Sequence, residues 1–344
     1  MTNTQRFSGV DERLGGKGMP SGWFQIGWTG DLAIGEVKPV HYFGTDLVLF
    51  RGEDGAPRLF DAYCPHLGAH LGYGGCVVEN SIQCAFHGWR WSGDDGSNLE
   101  VPYGDKAQAT KKRLRKWHVA DLNDTFIVAW FSPDGGDPTW DLPVLKGFGT
   151  PEFYPSHPNL SHYWGTREMH AEWISENAVD YAHFRYVHRT PEVGRLTNLE
   201  VDGHIMRSSV EFEISVYGPD GTRAMKTASD DLVCYGIGLV EAEFSVDGFI
   251  HLQSQTPVDE THCDLFTTVA IARREDDDPA KVEVRHARRM ERELKEVASD
   301  LVIWEQRKMD PHPALAPDEA KPHRTFSRWA KQFYTFQEEG VAAL

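Results

Sequence analysis

Long hydrophobic runs are missing from this sequence, and so is any apolar stretch near its start. No segment reaches the ~20 apolar residues that a membrane-spanning helix needs. Residues 1–20 lack the hydrophobic centre of a signal peptide. A cytoplasmic protein without a transmembrane segment is the expectation. An excess of positive charge is missing too: 35 Lys and Arg stand against 52 Asp and Glu, a net charge of −17. That balance argues against nucleic acid or an anionic membrane as the main partner. Cysteine is scarce, with five in 344 residues, and without an export signal these do not suggest a disulfide framework. Such cysteines more often serve a metal, catalysis or the core. No Gly-x-Gly-x-x-Gly fingerprint, internal repeat or low-complexity segment is present.

What is there divides in order along the chain. Residues 1–20 are polar and Gly-rich and read as an arm. Residues 21–131 are strand-like, with β-rich runs at Val37–Gly44, Leu47–Phe50 and Thr125–Trp130. Pro39 suggests an edge strand, and Glu53-Asp54-Gly55 a hairpin turn. Residues 132–159 hold six prolines and four glycines and resemble a linker. Residues 160–344 open on a helical pattern from Glu168 toward Val187. Strands follow between Leu199 and Arg273. A long helix then starts at Asp278-Pro279, an N-cap and first-turn proline, and runs to about Met309. Helix, antiparallel strands and a long helix imply an α+β domain, with the helix across one sheet face.

Two stretches carry chemistry. Cys64-Pro65-His66 and Cys84-Ala85-Phe86-His87 are separated by 17 residues in turn-rich text. Each offers one thiolate and one imidazole, as a Rieske [2Fe–2S] centre requires. A Cys2His2 zinc site is the competing chemistry, although a single residue between Cys and His is unlike common zinc patterns. Trp89 is placed to cover such a centre, and Cys76 has no partner in the pattern and reads as a small core residue. The second stretch runs from Glu176 to His188. Asn177, Asp180 and His183 are spaced three and three, one polar stripe flanked by Trp173 and Phe184. His183 and His188 can share a metal only if the helix ends or deforms between them, because five residues turn ~500°. Two His with a carboxylate and open positions is the non-haem Fe(II) arrangement that activates dioxygen.

Together, Cys-Pro-His, Cys-x-x-His-Gly-Trp and Asn177-x-x-Asp180-x-x-His183-x-x-x-x-His188 resemble the oxygenase component of the Rieske non-haem iron oxygenases. Within that family the length, the Asp300-x-x-x-Trp304 pattern and the tail Arg328–Tyr334 are similar to 3-ketosteroid 9α-hydroxylase and cholesterol 7-desaturase-like members. The resemblance implies a β-rich Rieske domain with Cys64, His66, Cys84 and His87 as cluster ligands. A helix-grip catalytic domain holding mononuclear Fe(II) follows. It implies a third iron ligand on the late helix, where Met290, Leu294, Val297, Leu301 and Trp304 form an apolar stripe. Asp300 at its edge is the choice, Glu293 the rival, and Asp310 is less well placed. Asn177 would lie near the iron. Asp180 would orient His183 and bridge to a cluster histidine of the next copy in a head-to-tail homotrimer.

The function implied is the terminal oxygenase of a multicomponent monooxygenase. It would use O2 and electrons from NAD(P)H, through a ferredoxin or a flavin-dependent reductase, to hydroxylate or desaturate a large apolar, steroid-like substrate. A family member acting on aromatic compounds or as an O- or N-demethylase is the alternative. A Rieske electron carrier or a lipid-binding module is a remoter one. A basic cluster of Lys106, Lys111, Lys112, Arg113, Arg115 and Lys116 is a candidate docking patch for an acidic ferredoxin.

Overall fold

The computed structural model describes residues 13–14, 17–104, 110–217, 220–246 and 248–334. Lys106 and most of the 1–20 arm lie outside the described residues. Eleven short strands come first: β1 Gly22–Trp28, β2 Val37–Tyr42, β3 Thr45–Arg51, β4 Pro57–Asp61, β5 Cys76–Val78, β6 Ser81–Gln83, β7 Arg90–Ser92, β8 Asn98–Glu100, β9 Lys116–Trp117, β10 Val119–Leu122 and β11 Phe126–Phe131. They form three antiparallel sheets, ordered β1-β11-β10, β2-β3-β4-β9 and β5-β6-β7-β8. Pro39 sits on β2, an edge strand, where its missing N–H costs no ladder bond.

No strand or helix occurs between β11 and the next strand, β12 Ser161–Glu168. This connection is nonetheless packed. Its Trp140 meets Trp130 edge-on at 4.6 Å and Phe333 at 5.7 Å. Two short helices follow, α1 Glu172–Glu176 and α2 His183–Tyr186, and then β13 Arg195–Asp202, β14 Ile205–Tyr217, β15 Arg223–Tyr235, β16 Leu239–Phe244, β17 Phe249–Pro257 and β18 His262–Ala270. The sheet order is β12-β18-β17-β16-β15-β14-β13, antiparallel throughout. The last elements among the described residues are α3 Pro279–Trp304 and α4 Pro317–Lys331.

α3 starts as its sequence dictates, with the Asp278 carboxylate accepting from the Ala280 N–H at 3.1 Å. Its Val297, Leu301 and Trp304 are buried against Leu232, Val240 and Ala242 of the large sheet. Each such side chain contributes about 1.5–3 kcal/mol by leaving water. A second core joins the two halves: Trp23, Trp28 and Trp130 pack with Leu252 and Phe266, and Trp28 donates to Thr268 Oγ1 at 3.1 Å. No helix among the described residues is long and apolar enough to cross a membrane.

Two expectations are corrected. The helical pattern from Glu168 is not one helix: Glu168 ends a strand, and α1 gives way after Glu176 to tighter turns through Asp180. Cys76 is exposed, not core, because it opens the edge strand β5.

Candidate active site

The cluster loops are near copies of each other. In the first, the Cys64 N–H bonds Ala69 O at 2.8 Å and the Gly68 N–H bonds Cys64 O at 2.9 Å. In the second, the Cys84 N–H bonds Trp89 O at 2.9 Å and the Gly88 N–H bonds Cys84 O at 2.9 Å. Gly68 and Gly88 take φ of 75° and 72°, a left-handed conformation that a Cβ would strain. This pairing brings the His66 and His87 rings to 4.7 Å. Both thiols are buried, and burial pushes the Cys64 thiol up, with Cys84 beside it adding to the rise. Trp89 stacks on His66 at 4.3 Å and 6° and donates to the Tyr103 hydroxyl at 2.8 Å.

The pocket fits a two-iron cluster. Buried His87 Nδ1 has no hydrogen-bond partner in the protein, a cost that a metal bond removes. Among the described residues, no three ligand atoms of this quartet lie within 4.8 Å of one another. One tetrahedral zinc, with bonds of ~2.0–2.3 Å, would gather all four more tightly than that. Two thiolates on one metal and two imidazoles on another suit the wider spacing.

The second centre is built where the chain turns sharply. α2 ends at Tyr186, and Arg189 takes φ 65°, so the backbone reverses just after His188. The end of α2 between the two histidines lets His188 meet His183, and their ring centroids are 5.0 Å apart. α3 brings Asp300 from across the domain, with Oδ2 3.5 Å from His188 Nε2. His183, His188 and Asp300 thus place one ligand atom each within 4.8 Å of one another, the one such group among the described residues. Burial pushes the Asp300 carboxyl up to about 6, although His188 and His183 pull it the other way. A carboxylate and two imidazoles converging in a poorly solvated place form a fitting site for a divalent cation.

His183 directs Nδ1 to the backbone carbonyl of Asp180, and the Asp180 carboxylate is 3.8 Å away. That leaves Nε2 for a metal. Burial opposes charge on His183, yet Asp180 and Asp300 outweigh it and raise the imidazole's pKa. Glu293, the rival carboxylate, is already engaged: it meets His251 Nδ1 at 2.5 Å and accepts from Arg289 at 2.9 Å. Asp310 is exposed. Asn177 lines the cavity beside His183.

Two positions at the candidate site escaped sequence reasoning. Glu296 Oε2 is 2.7 Å from His188 Nδ1, off the line of the ring N–H. Its signal was its place four residues before Asp300 on one helix face. Asp230 stands in the cavity wall with Oδ1 unpartnered, and burial pushes its carboxyl up to about 6. Within a strand, the pair Asp230-Asp231 carries no sequence signal of that kind.

Beside His183, His188 and Asp300 opens a cavity of about 700 Å³. Phe184, Phe212, Ile214, Leu232, Val240 and Phe244 form much of its wall, and Asp230, His251 and Gln253 supply polar atoms.

The chain matches known proteins along nearly its whole length. Residues 22–117 match the Rieske [2Fe-2S] domain, and residues 129–334 match the 3-ketosteroid 9alpha-hydroxylase C-terminal domain. Cholesterol 7-desaturase nvd 1 of Ciona intestinalis is 29% identical over 92% of this chain and 69% of its own length. A probable 3-ketosteroid-9-alpha-monooxygenase oxygenase component of Rhodococcus rhodochrous is 30% identical over 92% of this chain and 80% of its own. The fold is shared with dicamba monooxygenase bound to 3,6-dichlorosalicylic acid, at TM-score 0.65 and 17% identity over 90% of this chain and 96% of that one. It is shared also with NdmA of Pseudomonas putida CBB5, at TM-score 0.65 and 17% identity over 90% and 88%. The chain is an oxidoreductase whose cofactors are a Rieske [2Fe–2S] cluster and a mononuclear non-haem iron. With its C-terminal match spanning more than half of the sequence, the chain belongs to the 3-ketosteroid 9α-hydroxylase family of Rieske oxygenases, as an oxygenase component.

Proposed function

We propose that this oxygenase hydroxylates or desaturates a steroid-sized, mostly apolar substrate, with O2 and with electrons from NAD(P)H delivered by a ferredoxin or flavin-dependent reductase. The cavity carries the reading. An apolar cavity of roughly 150 Å³ suffices for benzene, so a single-ring compound would leave most of about 700 Å³ empty. The steroid-related relatives support the same class.

In this reading Cys64, Cys84, His66 and His87 hold the cluster, and His183, His188 and Asp300 hold the iron. When bound, these groups supply single-electron relay and dioxygen activation. The protein does the rest. The carbonyl of Asp180 fixes the His183 imidazole, and the Glu296 carboxylate stands against the Nδ1 side of His188. Phe184, Phe212 and Phe244 exclude water and lay the substrate against the ligands. Asn177, which lines the same cavity as His183, His188 and Asp300, would offer its side-chain amide beside the iron site. Asp230 and Gln253 meet polar substituents of the substrate, where an unpartnered carboxyl gains a hydrogen bond.

The same reading assembles three copies head to tail. Leu67 and Phe86, 65% and 61% exposed at the tips of the cluster loops, support an interface there. The Asp180 carboxylate would then reach His66 or His87 of the next copy. The reading divides the chain into an arm (1–20), a cluster-bearing part (21–131), a connection (132–159) and a catalytic part (160–344), in the cytoplasm, where the thiols of Cys76, Cys234 and Cys263 stay reduced.

A binding screen on the oxidised protein tests the substrate class. A bound steroid at a hundredfold over its Kd stabilises the fold by ~2.7 kcal/mol, and product analysis with a surrogate reductase follows. No thermal shift with any steroid, alongside turnover of a methoxy- or methyl-aromatic, overturns it.

A further inference from the structure

Beside the catalytic cavity lies a second hollow of about 490 Å³, and its lining is basic. Arg274, Lys281, Arg285, Arg288, Arg289 and Arg292 surround an apolar floor of Phe249, Ile271 and Val284, with no carboxylate in the lining. In a chain of net charge −17 that concentration is not the background composition. Three of the cations are satisfied: Arg285 by Asp277 at 2.7 Å, Arg289 by Glu293 at 2.9 Å and Lys281 by Asp278 at 3.4 Å. Arg274, Arg288 and Arg292 have no acidic partner among the described residues.

This hollow adjoins the catalytic cavity. Phe249, Arg289 and Arg292 line both, and the Arg289 guanidinium stacks 3.8 Å over the Phe249 ring where the two spaces meet. One face of α3 runs through the two spaces, from Arg288 and Arg292 in the basic hollow to Glu296 and Asp300 at the ligands. At 1.5 Å per residue, Arg292 and Arg288 lie ~12 and ~18 Å along the helix from Asp300. An elongated molecule can therefore occupy both.

We propose that the substrate is an apolar ring system bearing an anionic substituent, a carboxylate or its equivalent, and that Arg274, Arg288 and Arg292 hold this substituent. The inference rests on the steroid-type reading above and deepens it. Guanidinium groups pair carboxylates by forked, charge-assisted hydrogen bonds, and the apolar floor carries the chain between ring system and anion. A concave shelf with a greasy base, continuous with the reaction cavity, fits a small molecule better than the flat face of a protein partner.

The test compares a steroid side-chain carboxylate with its methyl ester, by equilibrium binding to the cofactor-loaded protein at low salt. The carboxylate should bind at least tenfold tighter. Arg274→Gln with Arg288→Gln should collapse that ratio toward one, and Arg288→Glu alone should invert it. The visible cluster spectrum and circular dichroism report that each variant is folded. Inorganic phosphate at 10-fold excess over the steroid should compete with the carboxylate only weakly. Competition as strong as the carboxylate's own binding overturns the substrate assignment in favour of a free-anion site. Equal affinity of acid and ester overturns the anion shelf while the steroid reading stands. Binding of neither overturns the steroid reading and this inference with it. An unchanged ratio in the variants, with slower reduction by ferredoxin, makes the shelf a partner-docking site and overturns the proposal.

Discussion

His183 holds its Nδ1 on the backbone carbonyl of Asp180, while the Asp180 carboxylate stands 3.8 Å away and is 37% exposed. One residue thus offers two separable groups, a carbonyl that orients the imidazole and a part-exposed carboxylate whose Oδ1 accepts from the His183 backbone N–H at 3.3 Å. Asp180→Asn keeps the carbonyl and removes only the charge. Iron loading and cluster reduction should be as in wild type. Reoxidation of the reduced cluster by O2 with substrate bound, followed by single-turnover stopped flow, should slow more than tenfold, equivalent to ~1.4 kcal/mol of barrier. A rate within about threefold of wild type would mean that the Asp180 carboxylate does not link the two centres.

The candidate ligands could be picked out in the sequence because their chemistry is local. Cys64 with His66, Cys84 with His87, and His183 with His188 each sit in one loop or turn. Asp300 was legible only through the resemblance and the apolar stripe of α3, since its partners lie more than a hundred residues earlier. The strands least legible were β12 and β13, the two edges of the seven-stranded sheet. Half-solvated on both faces, they show little apolar alternation. α4 was hidden by Pro317 and Pro322, although its Phe326 and Trp329 are buried in the core. The anion-binding lining was invisible for another reason: arginines three and four apart on a helix read as a solvated face until a cavity is seen beneath them.

Glu241 provides a pH test remote from the metals. Its carboxylate is buried, accepts from the Tyr235 hydroxyl at 3.1 Å and the Lys146 N–H at 2.6 Å, and burial pushes it up to about 7. The folded state keeps this proton between about pH 4.5 and 7, where the unfolded chain has lost it. By linkage, this residue makes stability fall as pH rises through that window. Glu241→Gln should therefore gain stability relative to wild type as pH rises from 4.5 to 7, by on the order of 2 kcal/mol. Denaturant melts at several pH values measure the difference, and a difference independent of pH would contradict the assignment.

The basic strip near β9 has less free charge than its composition suggests. Arg113 pairs with Asp95, Lys116 donates to the Asp94 carbonyl, and Arg115 stacks 4.5 Å over Trp117. Lys111 and Lys112 are exposed and have no acidic partner among the described residues. Lys111→Glu with Lys112→Glu should slow ferredoxin-driven turnover several-fold at low salt, with the deficit shrinking as salt is added. Rates equal to wild type across ionic strength would remove this strip from the docking surface.

The most direct test of the account is iron counting on Asp300→Ala, purified beside wild type. Wild type should hold about three irons and two labile sulfides per chain, two irons in the cluster and one mononuclear. Asp300→Ala should hold about two irons, with both sulfides and the Rieske spectrum unchanged and product formation lost. Retention of the third iron together with activity in Asp300→Ala would contradict the assignment of His183, His188 and Asp300 as the site where this protein activates dioxygen.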